Sequence, residues 1–389
     1  MKFKIPFSGR AHIYSEEELK TVVDAIHSAV PLTQGQYQEK FQQKFCEYIG
    51  AKQAFALNNA AAGLELTAQL CQFKTGDEVI IPAHTYTASA YPFLKKGAKI
   101  VWADIDIESR VVTSATIEKC ITKKTKAIVV VHLYGYCANM PAIMEMAKKY
   151  NLLVIEDAAQ ALGARVDMQM AGTFGDFGVF SFHSHKNITT LGEGGMLVVK
   201  DPKIAKIIPM LRHNGHCAFG FDQENYWTPA MGNVDIPELN GEQIWPNNYC
   251  LGEVECALGV KLLDRIDSIN DDKRNRALRF IDHFKDFPQL EFHRESSNRH
   301  NYHLMVAKVT TGKRDLFMSK MAEEGVQCVV QYYPLNRYDL YKKMGYGKAD
   351  CPNTDQFFDN MVSFPFQHML SDEEFDEMIV ITKKILSNF

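Results

Sequence analysis

Five short runs of near-continuous apolar residues, rich in β-branched side chains, constrain this chain more than any other feature: QAFAL (53–57), EVIIP (78–82), KIVWAD (99–104), AIVVVHLY (127–134) and LLVIED (152–157). A strand with one solvated face alternates apolar and polar residues. These runs do not, so both of their faces must be covered, as in a parallel sheet flanked by helices. The segments between them, such as 61–72, 86–96, 114–122 and 140–150, are long enough for crossover helices. Met140-Pro141 fits a helix start, because proline's missing N–H is tolerated in a first turn. This alternation predicts an α/β fold with a mostly parallel sheet. FGVFSF (177–182) and GMLVV (195–199) add an adjacent strand pair across an irregular loop. After about residue 250 the texture changes. Residues 251–286 are helical in period and rich in charge; short strands (302–309, 326–332) and helices (313–324, 371–386) follow. A large domain over 1–250 and a smaller α+β domain over 251–389 are therefore expected, within the range that 389 residues allow.

Composition excludes several function classes. The net charge is -4 and no Lys/Arg block is present, which argues against non-specific nucleic-acid binding. No apolar run approaches the roughly 18 residues of a membrane helix, and the start MKFKIPFSGRAH has no signal-peptide pattern. The nine cysteines are scattered with no C-x-x-C, so reduced thiols and a cytoplasmic location are expected. His183-x-His185 and His213-x-x-His216 have no Cys or Glu at metal spacing, and no metal site is expected. A dehydrogenase is disfavoured because no Gly-x-Gly-x-x-Gly follows a strand, and a serine hydrolase because no Gly-x-Ser-x-Gly is present.

The chemistry concentrates in two segments. LLVIE runs into Asp157-Ala158-Ala159-Gln160, which places Asp157 at the carboxyl end of a strand, where open α/β sheets bind ligands. A helix N-cap is the plainer role for such an aspartate. Further on, Phe180-Ser181-Phe182-His183-Ser184-His185-Lys186 delivers a lysine from an apolar strand into a loop closed by Gly192-Glu193-Gly194-Gly195. Partial desolvation lowers a lysine's pKa and frees the neutral amine as a nucleophile; a solvated loop lysine is the competing reading. Together, lysine and strand-end aspartate are what pyridoxal phosphate requires: the lysine carries the cofactor and the carboxylate pairs with its pyridine N–H. Asn58-Asn59-Ala60-Ala61-Ala62-Gly63 lies at a strand-to-helix turn, whose first backbone N–H groups could hold the phosphate. Ser181 could add a hydroxyl, and Tyr86 could stack on the ring, although filler and core roles are the ordinary ones for such residues.

At this point the sequence resembles the DegT/DnrJ/EryC1/StrS family of sugar aminotransferases, pyridoxal phosphate enzymes of fold type I. The resemblance runs over nearly the whole chain, through Leu32-Thr33-Gln34-Gly35, Gly76-Asp77-Glu78, Glu156 to Gln160, Gly175-Asp176, Ser181-Phe182-His183, Lys186, Gly192 to Gly195 and Arg212-His213-Asn214-Gly215. It implies that Lys186 and Asp157 are catalytic, with Gln160 on the cofactor's ring hydroxyl, Tyr86 on the ring, and Ser181 with Ala60 and Ala61 at the phosphate. Asn248, in Pro246-Asn247-Asn248-Tyr249, matches an asparagine that the family gives to the phosphate of the neighbouring subunit, so a homodimer with shared active sites is implied. Some positions depart from the family pattern: Asn59-Ala60-Ala61 replaces Ser-Gly-Thr, Cys250 stands where Arg often follows the Asn-Tyr pair, and Pro334-Leu335-Asn336 replaces Pro-x-His. The implied reaction moves an amino group from L-glutamate to a keto or aldehyde sugar, expected to be a nucleotide-linked deoxyhexose. The product would enter surface polysaccharide, lipopolysaccharide or a glycosylated metabolite. Two alternatives stay open. Relatives that dehydrate a sugar carbon carry histidine in place of the lysine, and here His185 lies beside Lys186; a non-catalytic regulator could also retain the fold.

Overall fold

The computed structural model describes residues 3–215, 244–293 and 298–389. Its main sheet has seven strands: β1 (Ala54–Leu57), β2 (Glu78–Pro82), β3 (Lys99–Ala103), β4 (Thr125–Val131), β5 (Leu153–Asp157), β8 (Phe177–Ser181) and β9 (Gly195–Val199). Two short strands, β6 (Arg165–Val166) and β7 (Gln169–Met170), form a separate hairpin between β5 and β8. The strand order is β1-β9-β8-β5-β4-β2-β3. The run from β3 through β2, β4 and β5 to β8 is parallel. Val79, Ile80, Ile81, Val129, Val130, Val154 and Ile155 are wholly buried, as strands covered on both faces require.

The structure departs from the sequence expectations in three places. β1 is not one of the parallel strands; it lies at the sheet edge, antiparallel to β9. Its apolar run arises because α2 (Gln36–Ile49), preceded by α1 (Glu16–Ser28), covers it, with Phe41 and Phe45 packed under the sheet. The helix expected over 86–96 is split into a 3-10 turn, Thr87–Ser89, and a short helix, Tyr91–Lys95. Pro92 has no N–H to continue a hydrogen-bonded run from the preceding turn. The strand expected over 326–332 joins no sheet. It makes only isolated bridges, Val326 to Ile5 and Val329 to Ser363, before bending so that Gln331 and Tyr332 line a cavity.

The C-terminal region carries an antiparallel sheet of β10 (Leu290–Phe292), β11 (Met305–Val309) and β12 (Met361–Phe364), flanked by helices Arg314–Glu323 and Asp372–Leu386. We propose the division at residue 250 from sequence texture. Contacts cross that division: helix Glu253–Leu263 packs on α1 and α2, and the Glu253 carboxylate accepts from the N–H groups of Gly35, Tyr37 and Gln38 at 2.9, 2.8 and 3.1 Å. A carboxylate there satisfies donors that a helix start leaves open.

Candidate active site

The carboxyl end of β5 is fixed by its penultimate residue. Glu156 is fully buried, and its carboxylate accepts from the backbone N–H groups of Gly172, Phe174 and Gly175 at 2.8, 2.7 and 2.7 Å. His132 lies 3.0 Å away on the same carboxylate. Because strand side chains alternate, Glu156 locks the loop before β8 on one face while Asp157 turns to the other. There Asp157 is 6% exposed and accepts from the Ser89 hydroxyl at 2.7 Å and the Ala159 N–H at 3.1 Å. No cationic side chain among the described residues forms an ion pair with it.

The lysine loop follows β8. Lys186 is half-buried, its N–H donates to the His183 carbonyl at 2.8 Å, and its own carbonyl is 3.1 Å from His12 Nε2. Burial pulls its amine down to about 8, against the opposing pull of Asp157 and Glu193. The phosphate-side turn opens α3 (Ala60–Leu70), where the Asn59 side chain caps Ala62 N–H at 2.8 Å. The N–H groups of Ala60 and Ala61 precede any intrahelical partner, as at every helix start. Gly195 of β9 packs directly on this turn: a Cβ there would come within 2.5 Å of the Asn59 carbonyl carbon and 2.7 Å of Ala60 N.

One cavity of about 550 Å³ brings Ala60, Ala61, Tyr86, Asp157, Gln160, Ser181 and Lys186 together. Gln160 accepts from Tyr134 N–H at 2.6 Å and donates to the Tyr332 hydroxyl at 2.9 Å. Tyr86 is 57% exposed, ahead of the 3-10 turn, with its ring edge-on to Tyr332 at 5.7 Å; it is not a core residue. Asn248 is outside this cavity. It is exposed, and its backbone bridges to His213. The adjoining helix Glu253–Leu263 is N-capped by Gly252, so Asn248 does not serve as its cap.

Pyridoxal phosphate fits this residue set. Helix-start N–H groups and a serine suit a phosphate, a buried carboxylate with no ion-pair partner among the described residues suits a pyridinium, and an amine of lowered pKa lies in the same cavity. Other wall residues escaped sequence reasoning: His12, Lys273, His303, Tyr332 and Phe366. They belong to segments far apart in the chain with no shared motif, and only folding brings them together.

A model of the DegT/DnrJ/EryC1/StrS aminotransferase family matches residues 12–383. The chain is 31% identical over 329 residues to the GDP-perosamine synthase of Escherichia coli O157:H7, covering 84% of this chain and 85% of that protein. It is 29% identical over 394 residues to the spore coat polysaccharide biosynthesis protein SpsC of Bacillus subtilis, covering 99% and 97%. Among solved structures, Spr1654 from Streptococcus pneumoniae in its PMP-form matches with a TM-score of 0.85 and 27% identity, over 99% of this chain and 100% of that one. The chain thus belongs to the DegT/DnrJ/EryC1/StrS aminotransferase family, whose cofactor is pyridoxal phosphate.

Proposed function

We infer that this protein is a pyridoxal phosphate-dependent sugar aminotransferase that takes its amino group from L-glutamate. The observation that carries the reading is Lys186, held at lowered pKa in one cavity with the buried Asp157, which makes no ion pair among the described residues, and the N-terminus of α3. Relatives named for GDP-perosamine and for spore coat polysaccharide support a keto sugar, nucleotide-linked, as acceptor and polysaccharide synthesis as destination.

When bound, pyridoxal phosphate supplies a carbonyl carbon that exchanges with amines and a ring that accepts electrons. The chain's residues do the rest. Lys186 carries the cofactor and, once released, moves the proton lost from the donor's Cα as general base and then acid. An amine pulled down to about 8 suits that role near neutral pH. Asp157, fixed by Ser89 and Ala159, places a negative charge where a pyridinium would need it, without reorganisation during reaction. Ala60, Ala61 and Ser181 would hold the phosphate, Gln160 the ring hydroxyl, and Tyr86 would cover the ring. Asn248 would reach the partner's phosphate in a homodimer with shared active sites; its exposure and its position outside the chain's own cavity support that assignment. We place the enzyme in the cytoplasm, a reading supported by cysteines that are unpaired among the described residues.

The test is spectroscopic. Purified protein should be yellow, and excess L-glutamate should bleach it while releasing one 2-oxoglutarate per bound cofactor. Bound cofactor that ignores glutamate would contradict the assigned donor.

A further inference from the structure

We propose that Lys273 anchors an anionic oxygen group of the substrate, carboxylate or phosphate, in the cavity that contains Lys186. Lys273 lies on the helix Ile266–His283, is 5% exposed and lines that cavity. Its ammonium donates to the Phe366 carbonyl at 2.7 Å and lies 4.5 Å from the Phe366 ring. An ammonium has three donors, and the neighbours account for one plus a ring face. No carboxylate among the described residues forms an ion pair with Lys273. The adjacent Asp272 instead faces His368 at 3.9 Å.

The surrounding wall is rich in cations and imidazoles. His12 comes from the N-terminal segment, His303 from the segment before β11, and His368 from the segment after β12; all three line the cavity. His303 lies within electrostatic reach of both Lys186 and Lys273. Arg265 and Arg276, paired to Glu18 at 2.7 Å and Asp372 at 3.1 Å, still raise the cost of charging His368, while Asp272 lowers it. The cavity's carboxylates, Asp157 and Glu193, lie in the β5 and lysine-loop segments. Burying a cation without an anion is costly, and a neutral donor could tether the Phe366 carbonyl equally well. An arriving anion removes that cost. Burial, with Arg276 assisting, pulls Lys273 down to about 7, so the amine is poised to take up a proton when an anion binds.

This inference rests on the aminotransferase reading, which supplies two anion sources: the donor's carboxylates and the acceptor's phosphates. Glutarate, a dicarboxylate with no amine, and pyrophosphate are the probes, titrated calorimetrically into the holoenzyme. In Lys273→Met, affinity for at least one probe should fall about tenfold or more, the scale of a hydrogen bond to a charged group. Lys273→Arg should recover part of it. Loss for glutarate alone assigns the donor, loss for pyrophosphate alone assigns the acceptor, and loss for both assigns a shared site. A folded Lys273→Met that binds both probes as wild type does would reduce Lys273 to a tether for Phe366 and overturn the proposal. Should Lys273→Met fail to fold, Lys273→Gln, which keeps a donor for the Phe366 carbonyl and removes the charge, takes its place with the same two outcomes. A glutamate-insensitive spectrum alongside an intact probe effect would cost the aminotransferase reading alone.

Discussion

Lys186 and Asp157 carry the sharpest expectations at the scale of single residues. Borohydride should fix the cofactor to the wild type and not to Lys186→Ala, whose turnover should fall at least a thousandfold; peptide mapping of the reduced adduct to another lysine would displace the assignment. Asp157→Asn keeps shape and loses charge. A thousandfold drop, about 4 kcal/mol, is expected, whereas a loss under tenfold with cofactor fully bound would make Asp157 structural. The lysine also predicts a pH profile. With its pKa pulled down to about 8 by burial, roughly a tenth of the amine is neutral at pH 7, far more than for an ordinary lysine. The rate of cofactor attachment to the cofactor-free protein should therefore rise between pH 7 and 8 and level off above. A stopped-flow profile that keeps climbing to pH 10 would mean the amine is solvated. Because the Asp157 charge raises this pKa, Asp157→Asn should shift the break to lower pH.

Among the elements, β5 and its neighbours decide whether the site exists at all. Glu156 joins β5 to the 172–175 backbone by three N–H bonds and to His132. Glu156→Ala should cost about 3 kcal/mol or more, because buried donors then lose their acceptor; a urea midpoint shift worth under 1 kcal/mol would show that the loop is held by other means. Gly195→Ala should push β9 off the start of α3 and weaken cofactor affinity at least tenfold by fluorescence titration, since its Cβ would meet backbone rather than a flexible side chain. Much at this scale was legible beforehand. EVIIP and GMLVV match β2 and β9 residue for residue, and Met140-Pro141 opens the helix Met140–Tyr150. Buried strands announce themselves by unbroken apolarity. The same signal misled at QAFAL, because apolarity records coverage and not strand direction, and at 326–332, where the run bends into the cavity. α1 was missed although Ser15 and Glu18 form a capping box. Asp157, Gln160 and Lys186, which line one cavity, could be proposed from sequence because a strand end and its loop carry them; Lys273 and His12 of the same wall could not, because nothing local in sequence records which distant helix or terminal segment will face a strand end.

For the molecule as a whole, the shared-site proposal predicts complementation. Asn248→Asp would set a negative charge against the partner's phosphate, a repulsion of about 4 kcal/mol at an effective dielectric near 20. Mixed with Lys186→Ala, it should form dimers with one intact site, recovering up to half of wild-type activity per mixed dimer. Mixed dimers confirmed by mass spectrometry yet inactive would sink the model. A different consequence follows from the N-terminal segment. Ile5 N–H donates to the Gly325 carbonyl, Phe7 N–H to the Gln327 side chain, Ala11 N–H to the Ser184 carbonyl, and His12 contacts the Lys186 carbonyl. The strip therefore stitches the C-terminal region to the lysine loop, with Phe7, Ser8, Ala11 and His12 lining the cavity. Anyone trimming the gene to the family match at residue 12 would remove most of this strip while leaving the lysine and aspartate in place. A shortened clone that expresses well yet performs poorly would be reporting a missing wall.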